Sequence, residues 1–183
     1  MRAIARLLQL LAMVVWVGGL IFFAFVLAPT AFHTLPTVHE AGLIVGATLR
    51  VFDLVGLVCG GLFLAATAAL FVRATEARSR RRYEWEFLLC GLMLLGTAFI
   101  HWNILPAMDR DRDRAGGDIN AAAQTDPARM HFDRLHARSE QIEGAVLLLG
   151  LGVVFLLARE GDGTTRSGTR ASDTSSSLTA RSA

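Results

Sequence analysis

Lysine is absent from this chain of 183 residues, so all 18 basic residues are arginine. Charge of either sign is scarce: 19% of residues carry it, against about a quarter in an ordinary soluble domain. The net charge of +2 leaves no global basic field, so a nucleic-acid partner is not expected. Cysteine is limited to Cys59 and Cys90, with no CxxC pair and no HExxH. No Walker loop, nucleophile elbow or glycine-rich dinucleotide turn is present, so no recognised motif supports an enzyme. No internal repeat is claimed from the residues alone.

Hydrophobic residues make up 53% of the chain, with a mean hydropathy of +0.45. They fall in four long runs separated by arginine-rich segments. That distribution excludes an ordinary water-soluble enzyme and a disordered chain, and it leaves an integral membrane protein. A bilayer core of about 30 Å needs roughly 20 helical residues. Four spans follow, at about 7–28, 52–72, 86–105 and 139–158. Only helices satisfy every backbone N–H within their own segment, so the fold class is all-α, a four-transmembrane-helix bundle occupying 1–159. Pro29 and Pro106 are expected to end the first and third spans. Helices two and four are expected to extend beyond the membrane on the outer side, from near Val38 and from an Asp126-Pro127 start. The N-terminus resembles a signal peptide but has too long an apolar core, and it reads as a retained span. The segment 107–125 reads as a charged, mobile loop. Residues 160–183 hold 11 Ser or Thr in 24 and read as a disordered tail.

Arginine sets the orientation. Arg2, Arg6, the cluster Arg78, Arg80, Arg81 and Arg82, and the tail arginines lie on one side, which places both termini in the cytoplasm of a cell with an inner membrane. Tyr83, Trp85 and Trp102 fall where interfacial anchors belong, whereas Trp16 lies near the bilayer centre and should face another helix. A ruler of 1.5 Å per residue, zeroed on the cytoplasmic Arg or Glu of each span, puts Cys59 about 21 Å deep and Cys90 about 6 Å deep, so no disulfide is expected.

The same ruler gathers the polar residues at one level, the outer third of the bundle. The candidate site comprises His136, Ser139 and Glu143 on one face of helix four, with His101, Asn103, Asp53 and Arg50. Arg50 and Asp53 are spaced i, i+3 and can pair with each other. A hydrogen-bonded interhelical network at the outer mouth is the simplest reading of this cluster. Its alternatives are a path for a small solute, or a metal or haem site using His33, His101 and His136, whose spacing matches no ligand motif. No cofactor is therefore expected. Trp16, Gly18, Gly19, Pro29, Gly42, Gly46, Gly56 and Gly60 are assigned to helix packing. Gly42-x3-Gly46 and Gly56-x3-Gly60 can alternatively serve a homo-oligomer or a membrane assembly partner.

Trp16, Gly18 and Gly19, then Phe22 and Phe23, then Ala28, Pro29, Phe32, Leu35 and Pro36, with Gly42, Phe52 and Gly56, resemble the first half of bacterial proteins carrying domain of unknown function 4149, relatives of the eukaryotic transmembrane protein 205. Phe132, Leu135, His136 and Ser139 resemble the second signature of that family, which often has Asn where this chain has Glu143. The resemblance implies a small helical membrane protein without established biochemistry; its eukaryotic relative is linked to resistance to platinum drugs. A looser similarity joins the first span to copper-resistance D-type membrane proteins. Together these readings point to a multi-pass, non-enzymatic protein of the bilayer, engaged in solute handling or stress tolerance.

Overall fold

A computed structural model describes residues 2–179, with side chains for 2–159 apart from residue 78. The expected tail, 160–183, lies outside the residues whose side chains are described. Among the described residues there is no strand. Four helical stretches are long and apolar enough to cross a membrane: Arg2–Thr34, Val38–Phe71, Ser79–Arg114 and Pro127–Arg159. Each is longer than its apolar run, because polar turns extend it at one or both ends.

Pro29 and Pro106 do not end their helices. The first stretch is α1 (Arg2–Phe22), a π-helical turn (Phe23–Leu27) and α2 (Ala28–Thr34). After α3 (Val38–Phe71), the third repeats that order: α4 (Ala77–Phe99), a π-helical turn (Ile100–Ile104) and α5 (Leu105–Arg114). In each turn the residue before the proline donates five residues back, Ala28 to the Phe23 carbonyl and Leu105 to the Ile100 carbonyl. A proline ring has no N–H and collides with the carbonyl four residues behind it. One extra residue in the turn moves that carbonyl aside, and the helix passes the proline.

Helix ends follow local chemistry. The Thr37 hydroxyl accepts from the Glu40 amide at 3.2 Å and starts α3. Asp126 Oδ1 accepts from the Ala128 amide at 2.7 Å and starts α6 (Pro127–Thr179), as the Asp-Pro pair predicts. Gly116 and Gly117, at φ 81° and 98°, take the left-handed turn that closes α5. The segment expected to be a loop from residue 107 is thus helical as far as Arg114, and α5 packs along α6.

The four stretches form a ring in chain order, closed where α1 meets α6. Trp16, Met13, Phe63, Met93 and Val153 fill its centre. Outward-facing Leu, Val, Ile and Phe cover every helix, among them Val14, Phe25, Val58, Leu95 and Leu148. Trp85 and Trp102 also face outward, but Tyr83 is buried beneath Arg82 rather than standing at the bundle surface.

An internal repeat, not read from the sequence, accounts for this geometry. Gly19-x2-Phe22-x6-Pro29 in the first stretch has the spacing of Gly96-x2-Phe99-x6-Pro106 in the third. At that same offset Gln9, Met13, Trp16, Leu20, Phe23 and Ala31 align with Glu86, Cys90, Met93, Thr97, Ile100 and Met108, and all twelve are buried. The second helices align likewise: Leu49 with Ser139, Asp53 with Glu143, Gly60 with Gly150 and Phe63 with Val153. Contacts obey the same exchange. A Cβ on Gly60 would meet Leu94 and Trp16, and one on Gly150 would meet their counterparts Val17 and Met93. Gly19 lies under Phe52, and Gly96 under its counterpart Ile142. The bundle is two helical hairpins related by a pseudo-twofold along the helix direction, an arrangement of parallel repeats known from membrane transporters.

Candidate functional site

The bundle has a terminal end, at Arg2 and Arg73, and a far end, at residues 35–37 and 115–126. Near the far end the bundle opens. α1 packs against α6, but beyond Phe22 the first stretch keeps extended contact with α3 alone. A cavity of about 890 Å3 lies in that gap. Phe23, Phe25, Phe32 and Leu147 line its apolar walls, and Arg50, Asp109, Arg112, His136, Glu140 and Glu143 line its polar side.

The structure brings some predicted site residues together and separates others. Asp53 is 5% exposed, and its Oδ2 stands 3.6 Å from His101 Nδ1 in the second π-turn. That separation is too long for a hydrogen bond, and neither atom has another partner among the described residues. Glu143 is half-buried, and the two charges that reach it, Asp53 and Glu140, are both acidic. Asp53 and His101 thus face each other between α3 and the π-turn, and Glu143 stands on α6 at the cavity wall. His136 and Ser139 stand on the cavity wall, His136 Nε2 lying 3.2 Å from Glu140 and Ser139 Oγ donating to the His136 carbonyl at 2.8 Å. Asn103 is exposed on the bundle surface, away from the cluster.

Arg50 does not pair with Asp53. It reaches Asp109 on α5, which Arg112 also holds at 3.2 Å. Asp53 sits on the inward face of α3 while Arg50 points toward the far end, where a carboxylate from the next helix is nearer. His33, on exposed α2, joins no group. Among the described residues no three His, Cys, Asp or Glu side chains gather as metal ligands, so the His33, His101 and His136 set has no common centre.

The packing assignments divide in the same way. Trp16 is 1% exposed, with Nε1 placed 2.5 Å from where a Gly56 Cβ would stand. Gly19, Gly56 and Gly60 are thus close-approach positions, and the Gly56 and Gly60 face is filled from within the chain. Gly18, Gly42 and Gly46 have nothing within 4 Å of a Cβ, and Gly42 and Gly46 line the cavity instead. Pro29 is exposed.

A second polar cluster went unpredicted. At the terminal end Gln9, Thr67 and Glu86 are fully buried. Gln9 Nε2 donates to Thr67 Oγ1 at 2.8 Å and to Glu86 Oε2 at 3.1 Å, and Arg82 Nε lies 3.0 Å from Glu86 Oε1. Its signal was Gln9, the one amide in the first apolar run. Using Glu86 as a surface marker hid it, and misplaced Cys90 as well. Both cysteines are free, as expected, but Cys90 Sγ donates to the Gly60 carbonyl at 3.7 Å, so it sits beside the residue that follows Cys59 rather than far below it.

An all-helical ring of four membrane-length apolar helices, apolar on its outer surface and with its few buried polar groups turned inward, is the architecture of a multi-pass membrane protein. The family model described as Domain of unknown function (DUF4149) matches residues 11–115, more than half of the chain, and the chain belongs to that family. The match spans the first three stretches. No curated protein and no solved structure matches the chain.

Proposed function

We propose that this chain is a non-enzymatic solute-handling protein of the inner membrane, with both termini cytoplasmic and the far-end cavity as its ligand site. The observation that carries this reading is the half-buried Glu143 on the cavity wall, with Asp53 and Glu140 as acidic neighbours and no paired cation among the described residues. A carboxylate at membrane depth is costly; a wall that retains one without a partner suits an exchangeable ligand. The buried Asp53 and His101 supply a second polar layer behind it. Parallel repeats add support, since transporters built from them hold substrate between their halves.

Two measurements test the reading. In a background with Cys59 and Cys90 replaced by alanine, a cysteine at Ala121 should react with a membrane-impermeant maleimide from the periplasmic side. A reaction only from the cytosolic side reverses the orientation. For the ligand site, purified protein is screened by thermal shift against cationic, anionic and neutral solutes, since a ligand at 100 times its Kd stabilises by about 2.7 kcal/mol. A stabilising solute should lose its effect in Gly46→Leu, which puts a side chain into the cavity at a position where a Cβ meets nothing within 4 Å. If every stabilising solute acts equally on both proteins, the cavity is not the site.

A further inference from the structure

The two hairpins differ most where the bundle opens, and the difference specifies a ligand. We infer that the far-end cavity binds a free lipophilic organic cation, with its charge at Glu143 and Glu140 and its apolar body on the phenylalanine wall. This rests on the reading of the cavity as a ligand site and adds the chemical class.

The seam between α3 and the third stretch carries two polar contacts, the Asp53 carboxyl facing the His101 imidazole and the Arg50 guanidinium paired with Asp109. The pseudo-twofold maps that seam onto the one between α6 and the first stretch. There Glu143 stands for Asp53 and Glu140 for Arg50. The counterpart of His101 is Ala24, and the counterpart of Asp109 is Phe32. The second seam therefore has carboxylates at both positions on α6, and it has a methyl group and a phenyl ring where the first seam has its imidazole and its second charge. It is also the seam that stands open, with Ala24, Phe32, Glu140 and Glu143 all lining the cavity. The imidazole and the guanidinium that face carboxylates in the first seam are both missing from the second, and the space left by the small Ala24 side chain is where a cationic group would sit.

The charge of the whole lining agrees. Asp109, Asp133, Glu140 and Glu143 stand against Arg50 and Arg112. His136 engages Glu140 at 3.2 Å, at the exposed rim, and leaves Glu143 without a cation. Phe23, Phe25 and Phe32 line the cavity with aromatic and apolar surface, which suits a weakly hydrated cation better than an anion. A phospholipid ammonium is a poor fit because it arrives with a phosphate. The two guanidinium groups that could take that phosphate, Arg50 and Arg112, are already held by Asp109.

The test is equilibrium dialysis of the full chain in a neutral detergent against tritiated tetraphenylphosphonium, with triphenylphosphine oxide as the uncharged comparator. The cation should bind once per chain and at least about tenfold more tightly than the comparator. Glu143→Gln, which keeps the shape, should weaken the cation about tenfold and leave the comparator unchanged. Ala24→His, which restores the missing imidazole, should abolish cation binding, and Gly61→Leu, on the bundle surface, should leave it intact. Equal affinity for cation and comparator, or for wild type and Glu143→Gln, overturns the cation assignment while leaving the cavity a ligand site. Competition by added phosphatidylethanolamine also overturns it, in favour of a lipid. If only anions or zwitterions bind in a Gly46→Leu-sensitive manner, the class is wrong and the ligand site stands; if no solute binds in that manner, both fail.

Discussion

Gly60→Leu should leave the chain unable to form a stable bundle, whereas Gly61→Leu, one residue on, should melt like wild type. A Cβ at residue 60 would lie 2.5 Å from Leu94 Cδ2 and 2.7 Å from Trp16 Cζ3. Leu94 can swing its terminal methyl aside. Trp16 cannot, because it is 1% exposed and already pressed against Gly56 on the same helix. Overpacking a dense core by single methylenes costs about 1–3 kcal/mol, and leucine adds four carbons against an immovable ring. A loss of more than about 3 kcal/mol is expected on that basis. Residue 61 faces outward with nothing within 4 Å of a Cβ, so its leucine meets lipid or detergent and should change stability by no more than about 0.5 kcal/mol. Gly150→Leu should repeat the Gly60→Leu result, because its Cβ would lie 2.6 Å from Val17, the counterpart of Leu94. Thermal melts followed by circular dichroism in detergent measure all three. If Gly60→Leu melts with Gly61→Leu, α3 does not approach Trp16 as described. The experiment also bears on association between copies: a Gly56 and Gly60 face occupied by Trp16 affects folding first and oligomeric state only as a consequence.

The sequence exposed the number of helices because hydropathy is a local property: twenty apolar residues declare a span whatever they pack against. It did not expose their ends. Pro29 and Pro106 carry the ordinary stop signal, and only the π-turns in front of them, which depend on one extra residue per turn, let α2 and α5 continue. The level shared by Asp53, His101 and Glu143 was legible because each is a polar residue in an apolar run, placed by rise per residue alone. Their partners were not. Pairing Arg50 with Asp53 follows from helical spacing, but the carboxylate that Arg50 reaches belongs to another helix. The repeat stayed hidden because the halves share spacing and burial rather than residue identity: Trp16 aligns with Met93, and Met13 with Cys90. A repeat of this kind conserves the shape of the core and leaves each half free to change its polar residues. That freedom is what turned one seam into a closed salt-bridged contact and the other into a cavity.

Arg82→Ala should be the most damaging change at the terminal end, and Glu86→Gln should undo most of the damage. Glu86 is fully buried between Gln9, which donates to one carboxylate oxygen, and Arg82, which lies 3.0 Å from the other. Removing one member of a buried pair takes the nearest counter-charge away from the other, at a cost of about 3–5 kcal/mol. The exposed Arg81 makes no such contact, and Arg81→Ala should stay within about 0.5 kcal/mol of wild type. In the Arg82→Ala background a neutral glutamine at 86 removes the charge that Arg82 balanced and still hydrogen-bonds Gln9, so the double variant should recover more than half of the lost stability. Charge, not volume, is then the quantity the network balances. A double-mutant cycle on unfolding midpoints gives the answer directly: additive losses would mean that Arg82 acts through its stacking on Tyr83, 4.6 Å from the ring centroid, and not through Glu86. Gln9 and Glu86 occupy the same position in the two repeats, so this network is a contact of the two halves across their own pseudo-axis. Its loss should separate the hairpins at the terminal end while the Arg50 and Asp109 pair still holds them at the other.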